Sequence, residues 1–441
     1  MGIAIDKFKV EKYSSYKNSG AEWLGDIPLH WNTLSNKNIF KLKKNQVGKK
    51  SSDYVLLSLT LNGVIKRDME NPQGKFPAEF NTYQEVKKGD FIFCLFDVEE
   101  TPRCVGLSDF DGMITGAYTV MEPYENFDRN FLYYFYLNVD ADKRLKPLYT
   151  GLRNTISKEN FFSFKTFVPP LPEQTAIASF LDRKTALIDQ AIDIKQKQIE
   201  LLKERRQILI HKAVTRGLNP NVKMKDSGVE WIGEIPEGWE VKRLKHLGNS
   251  IIGLTYNPND LCGMEEGTLV LRSSNLFEGK FKYGEKENAY VKSRIPKKLL
   301  IRENDILICS RNGSRDLIGK CALATKVDAG HSFGAFTTVF RSDINPYIFC
   351  ILNSSIFKAL SGMFLTSTIN QLTIGNLNSI EVPIPPINEM NEVRNYVENI
   401  NLKVDTAISL KEQEIEKLKE YKATLINSAV TGKIKVYNDA K

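Results

Sequence analysis

A chain of 441 residues with 42% apolar content holds material for more than one core, which excludes a single small domain. Lysine and arginine outnumber aspartate and glutamate 61 to 53, and the resulting net charge of +8 suits a polyanionic partner without requiring one. The six cysteines show no CxxC pair, the longest apolar run (Phe91 to Phe96) is far too short to cross a bilayer, and MGIAIDKFKV has no apolar signal core, so a cytosolic chain with reduced thiols and no membrane association is expected.

Along the chain the first feature is SGAEWLGDIPLHW (Ser19 to Trp31), which returns 208 residues later as SGVEWIGEIPEGW (Ser227 to Trp239) with eight of thirteen positions identical. Short runs such as Tyr54-Val-Leu-Leu-Ser, Phe91-Ile-Phe-Cys-Leu and Ile306-Leu-Ile-Cys-Ser, punctuated by Gly, Asn and Asp, predict strands and turns. Weaker echoes keep the same order in both halves. Lys88-Gly89-Asp90-Phe91-Ile92 answers Glu303-Asn304-Asp305-Ile306-Leu307, and Thr115-Gly116-Ala117 resembles Phe333-Gly334-Ala335. One mixed α and β fold with two different surfaces is therefore expected twice.

Each half ends in a proline-rich stop, Val168-Pro-Pro-Leu-Pro-Glu-Gln and Val382-Pro-Ile-Pro-Pro-Ile-Asn, where a helix should start with Glu173 or Glu389 in its first turn. The following 29-residue segments, Leu187 to Thr215 and Lys403 to Thr431, share fourteen identities at an offset of 216, so the second copy is eight residues longer. Heptad positions on the first helix are Leu181, Ile188, Lys195, Leu202, Leu209 and Thr185, Ile192, Ile199, Arg206, Ala213. On the second they are Val397, Val404, Lys411, Leu418, Leu425 and Asn401, Ile408, Ile415, Lys422, Ala429. Each seam is apolar at seven of ten sites, with its three interruptions at equivalent positions. About 36 residues without Gly or Pro make a rod of roughly 54 Å, longer than a small domain is wide, so the two helices should pair with each other. A duplication of domain plus helix closes as an antiparallel coiled coil with pseudo-two-fold symmetry, and Gly217 and Gly432 should stop the helices.

With both anchors in hand, the chain resembles the specificity subunit of type I restriction–modification systems across nearly its whole length. The resemblance rests on SG-x-EW-[LI]-G-x-IP-x-x-W opening each half, the PPLPEQ-like helix start at Pro169 to Gln174, and the AVT-[RG] helix end. The second helix start departs from it, because Pro385-Pro386-Ile387-Asn388-Glu389-Met390 lacks the final Gln. The resemblance implies an α+β chain with target-recognition domains at 1–172 and 218–388, long helices at 173–217 and 389–433, and a tail at 434–441. It implies a prokaryotic, cytoplasmic, non-catalytic subunit that reads a split double-stranded DNA target, with the helices setting the spacer. Two methyltransferase subunits would dock on it and restriction subunits would join them; S-adenosylmethionine, ATP and Mg would belong to those partners, with no cofactor in this chain. A protein-binding scaffold with two variable domains is the competing expectation.

Sequence reading needs side chains on base edges, whereas affinity comes from phosphate contacts. Donor-rich loops that occupy related places in the two halves are the candidates: Arg272 and Ser273, Arg311, Asn312 and Arg315, and Arg103. The polar loops before the helices add Arg153 and Asn154 in the first half and Asn370 and Gln371 in the second. The repeated Trp23, Trp31, Trp231 and Trp239 read as packing residues that pin the incoming chain to its core, not as base-stacking platforms.

No catalytic or metal motif survives inspection. Gly313 to Cys321 has the wrong spacing for a phosphate loop, the E-x-K triplets at Glu85 and Glu240 are frequent by chance, and Asn345-Pro346-Tyr347 lacks the second proline of a methyltransferase loop. His30, His211, His246 and His331 show no zinc or triad spacing.

Overall fold

The computed structural model describes residues 11–69, 80–150, 154–363 and 370–436. The chain divides into two compact units, Met1–Lys195 with Gln413–Lys441, and Gln196–Glu412.

The first unit is built on β1 (Asn32–Ser35), β2 (Phe40–Leu42), β3 (Phe91–Phe93), β4 (Val105–Leu107), β5 (Thr119–Pro123) and β6 (Lys165–Val168), with helix α1 (Arg129–Ala141) between the last two strands. Four of them form a sheet in the order β2-β5-β3-β4, and β1 pairs separately with β6. Strand β3 is buried at all three of its positions, as expected of a continuous apolar run. α1 starts where the Asp128 side chain accepts from the Phe131 N–H at 2.9 Å. It then buries Phe131, Leu132, Phe135 and Val139 at the spacing of one helix face.

The second unit repeats this plan with β7 (Glu240–Arg243), β8 (Asn249–Ile252), β9 (Ile306–Cys309), β10 (Cys321–Leu323), β11 (Thr337–Arg341), β12 (Glu381–Ile384) and helix α3 (Asn345–Leu352). Its central sheet has the order β8-β11-β9-β10, and β7 pairs with β12, as β1 does with β6. The divergent interiors therefore cover one topology. The second unit adds short pairings that the residue pattern did not forecast, among them Leu276–Phe277 with Lys280–Phe281.

The weak echo before β3 and β9 is a turn carboxylate. Asp90 accepts from the Lys87 N–H at 2.7 Å and the Lys43 ammonium at 2.6 Å; Asp305 accepts from the Arg302 N–H at 2.8 Å and the Arg341 guanidinium at 2.6 Å. Both carboxylates are buried, and both turns need a positive φ just before them, supplied by Gly89 (89°) and Asn304 (67°). Burial pushes the Asp90 carboxyl up from its ordinary range even with Lys43 beside it.

The long helices are α2 (Leu171–Arg216, 46 residues) and α4 (Ile387–Val430, 44 residues). Every predicted seam position is turned inward to some degree. Leu181, Ile188, Ile199, Val397, Ile408 and Ile415 are buried, while Ile192, Leu202, Leu209, Val404, Leu418 and Leu425 are half-buried. In the first unit Asp189 meets Lys422 and Lys195 meets Glu414, both at 2.6 Å; in the second Arg206 meets Asp405 at 2.6 Å. From Asp189 to Lys195 the partners on the other helix fall from Lys422 to Glu414, so the helices pair antiparallel in the first unit. Lys195, Arg206 and Lys422 are three of the six seam interruptions seen in the sequence. Exposed ion pairs of this kind contribute only about 0–1 kcal/mol each, so their consequence is register more than stability.

The helix ends are held by the repeated tryptophans. Trp31 is buried, and its indole N–H donates to Glu173 at 3.1 Å in the first turn of α2. Trp239 does the same to Glu389 of α4 at 2.9 Å. The opposite helix ends on the same rings: Gly217 (φ 70°) after α2 lies against Trp239, and Gly432 (φ 71°) after α4 lies against Trp31, where an added Cβ would sit 3.2 and 3.4 Å from the indoles. Glycine is required there twice over, by backbone conformation and by close approach. The packing role read for Trp31 and Trp239 holds, and neither is available for stacking on a base.

Candidate nucleic-acid interface

In the second unit the chain runs out of the strand Thr268–Leu271 into Arg272, Ser273 and Ser274, and out of β9 into Ser310, Arg311 and Asn312. These two loops meet, because Asn312 Nδ2 donates to Ser273 Oγ at 3.0 Å. The segment before the short helix Ile374–Ser379 closes the group. Asn312 N–H reaches the Asn370 carbonyl at 3.4 Å, Asn370 Nδ2 donates to the Gly313 carbonyl at 3.0 Å, and Arg311 forms a β-bridge with Gln371. Six of the predicted residues, Arg272, Ser273, Arg311, Asn312, Asn370 and Gln371, thus share one rim. Arg315 turns aside, with Nη2 on the Gly362 carbonyl at 3.2 Å.

Arg272 and Ser273 also line an open cavity of about 540 Å³ together with Thr255, Tyr256, Lys286, Phe336 and others, a lining with two cations and no carboxylate. Arg272 Nη2 is tied to the Glu287 carbonyl at 2.9 Å, while its Nε is buried without an acceptor. That anchor holds the half-buried guanidinium at the cavity wall. Sequence reasoning missed Thr255, Tyr256, Lys286 and Phe336. The Phe333-Gly334-Ala335 echo marked the right segment, but nothing in its spacing showed that the next ring faces solvent.

The first unit gathers its candidates less tightly. Arg103 Nη2 donates to the Leu61 carbonyl at 3.2 Å at the tip of the hairpin Leu57–Thr60 with Gly63–Lys66. Asn154 (φ 47°) is exposed, and its carbonyl accepts from the Asp97 N–H at 3.0 Å. Arg153 lies outside the described residues. The hairpin strand and its counterpart occupy the same place in the two units, since Leu56 bridges Met113 and Val270 pairs Ser332, both in parallel.

The rejected motifs have structural roles. Asn345 is buried and its side-chain amide donates to the carbonyls of Asn304 and Phe340, both at 2.8 Å. Glu85 pairs with Lys87 and Glu240 with Lys242. Among the described residues, no group of three or more His, Cys, Asp or Glu is placed to hold a metal ion, and no helix is long and apolar enough to cross a membrane.

The family model described as "Type I restriction modification DNA specificity domain" matches residues 105–204 and 236–420, one match in each repeat and together more than half of the chain. The chain belongs to this family. The MjaVIII specificity subunit of Methanocaldococcus jannaschii is 28% identical over 301 residues, 66% of each chain. The putative MjaX specificity subunit of the same organism is 25% identical over 99% of this chain and 100% of that one. The EcoKI specificity subunit of Escherichia coli (strain K12) matches over a shorter stretch, 26% identical over 46% of this chain and 44% of that one. Among solved structures, one from a study of type I system assembly and conformational transition superposes with a TM-score of 0.69 at 14% identity, covering 92% of this chain and 98% of that one. The HsdS subunit of Thermoanaerobacter tengcongensis follows at a TM-score of 0.51, also at 14% identity, over 92% and 98% of the two chains. These likenesses establish the fold of a type I specificity subunit, with a recognition domain in each repeat.

Proposed function

We propose that this chain reads a split double-stranded DNA target, one half with each unit, as the non-catalytic specificity subunit of a type I restriction–modification complex. The observation that carries this reading is the rim of the second unit. Three separate loops bring Arg272, Ser273, Arg311, Asn312, Asn370 and Gln371 together on a frame the first unit repeats, beside a cavity whose lining carries positive charge alone. Cations position a phosphate backbone, and neutral hydrogen-bonding side chains beside them discriminate base edges.

Methyltransferase subunits would dock on the helices. α2 keeps Leu187 and Ile194 in the first unit, and Leu201 and Ile208 in the second, between 48% and 58% exposed at seven-residue spacing. Such a stripe lies outside the seam and suits a protein partner. Restriction subunits would complete the complex, and the partners would supply the sites for S-adenosylmethionine, ATP and Mg. This docking face also accommodates what favours a scaffold role, so the two readings separate on DNA.

The deciding experiment measures binding of the full chain, alone and with the neighbouring methyltransferase subunit, to a random duplex library across a salt series. Enrichment of a two-part sequence, with log affinity falling by about 0.9 per contacted phosphate for each decade of salt, supports DNA reading. Binding to methyltransferase subunits without any sequence enrichment would leave the scaffold.

A further inference from the structure

Phe336 is 60% exposed although its backbone lies within the second unit's rim. Its carbonyl accepts three hydrogen bonds, from the Ser310 N–H at 3.1 Å, the Arg311 N–H at 3.0 Å and the Ser310 hydroxyl at 3.1 Å. The backbone is therefore fixed to the end of β9 while the side chain is left in water. The Arg311 guanidinium lies 5.4 Å from the ring centroid, and Arg272 and Lys286 line the cavity beside it. The frame does not demand this arrangement. In the first unit the aligned residue, Tyr118, is half-buried and stacked on Phe96 at 6.2 Å.

We infer that Phe336 is a specificity-determining side chain that packs against a thymine methyl group in the major groove of the half-site read by the second unit. The inference rests on the DNA-reading function proposed above. Surrounding cations draw a polyanion to this rim, where the face and edge of the ring not covered by Arg311 otherwise meet only water. Within duplex DNA the apolar group offered on a base edge is the thymine methyl, and phenylalanine is among the side chains that contact it. A wedge driven between base steps would need both faces of the ring; the Arg311 guanidinium already covers one, leaving the edge and the other face for a methyl contact. Arg311 at the same point supplies donors to the neighbouring acceptors, so that one position combines an apolar and a polar test of the sequence.

The test uses the full chain and the duplex selected from a random library by the wild type. Each thymine of the second half-site is replaced in turn by uracil, which removes only the methyl, and affinities are measured for the wild type, Phe336→Ala and Phe336→Leu. One uracil position should weaken wild-type binding roughly three- to five-fold, the worth of a methyl moved out of water. That loss should vanish in Phe336→Ala, return in part in Phe336→Leu, and leave every other position unaffected. Melting curves of the three proteins should coincide, because the ring is exposed. A uracil penalty of equal size in Phe336→Ala, or no penalty at any thymine, would overturn the methyl contact while the selected target still upholds DNA reading. Failure of the wild type to select any duplex would overturn both. Loss of methyltransferase binding in Phe336→Ala, with uracil sensitivity intact, would reassign the ring to a protein contact.

Discussion

Trp239 and Glu389 are joined by one hydrogen bond of 2.9 Å, whereas the corresponding pair, Trp31 and Glu173, forms the centre of a larger network. Glu173 is buried and also accepts from the Tyr13 hydroxyl at 2.6 Å and contacts His30 Nε2 at 2.7 Å, whereas Glu389 is exposed. The next residue differs in the same sense. Gln174 is buried and joins the Pro169 carbonyl to the Asp128 N–H, both at 2.9 Å, contacts that Met390 cannot make.

Removing the two glutamates should therefore have unequal effects. Glu173→Ala strands two buried donors, the Tyr13 hydroxyl and the Trp31 indole N–H, and should cost about 3–5 kcal/mol, while Glu389→Ala leaves the single indole N–H of Trp239 unpaired and should cost about 1–2 kcal/mol. Denaturant melts of both variants check this; equal losses would show that the network adds nothing beyond the indole bond.

The turn carboxylate offers a sharper stability test. Asp305→Ala leaves the Arg341 guanidinium, largely buried, without its partner and should cost about 3–5 kcal/mol. The double variant Asp305→Ala with Arg341→Met should recover part of that loss, because the unpaired charge is gone. Chemical denaturation of the four proteins of the cycle measures the coupling.

Two histidines make stability depend on pH. Burial, joined by the nearby Arg216, holds the His211 imidazole below its ordinary value, and burial lowers His331 despite Asp328. Their unfolded forms take up protons near pH 6.5, before the folded forms do, so stability is full above that pH and declines as pH falls toward the folded values. Replacing both with glutamine should flatten melting temperature between pH 7 and 5.5, in side-by-side thermal scans with the wild type.

Thiol chemistry should distinguish one cysteine from five. Burial pushes Cys309 up to about 11 and Cys350 to about 12, and raises Cys94, Cys104 and Cys321 as well. Cys262 is only half-buried. Native protein at pH 8 should therefore be alkylated first at Cys262, with the others reacting only on unfolding; peptide mapping after a short pulse of iodoacetamide gives the order.

Charge placed on the exposed stripe of α2 should separate docking from reading. Leu201→Asp with Ile208→Asp should abolish co-purification of the methyltransferase subunit and leave salt-dependent DNA binding within about two-fold. A matched loss of both would place the stripe in the DNA interface instead.

What was legible in the chain is what the repeats carry. Two copies of one anchor exposed Trp31 and Trp239 as structural residues, and heptad spacing located both seams, including the charged breaks that turned out to pair Lys195 with Glu414 and Lys422 with Asp189. The interior was harder, because its echoes are short. Asp90 and Asp305 stood out as a repeated pattern, but their purpose depends on Lys43 and Arg341, far away in sequence and near only after folding. The same limit applies to the rim. Its loops were identified one by one, yet the contact of Asn312 with Ser273, the turning away of Arg315 and the solvent-facing ring of Phe336 depend on loop geometry that residue spacing does not encode.

The tryptophan that receives the start of one helix and the glycine end of the other also bears on heredity. Everything between Trp31 and Pro169, or between Trp239 and Pro385, could be replaced by recombination without disturbing these joints, provided the incoming segment carries the same short pairings at its two borders and the same packing against the tryptophan. A crossover inside a recognition segment would instead mix two cores, since Phe93 of β3 and Tyr136 of α1, well separated along the segment, pack against each other in the first unit. Genetic novelty in such a chain should therefore arrive mainly as whole cassettes, with a new DNA address acquired in a single exchange.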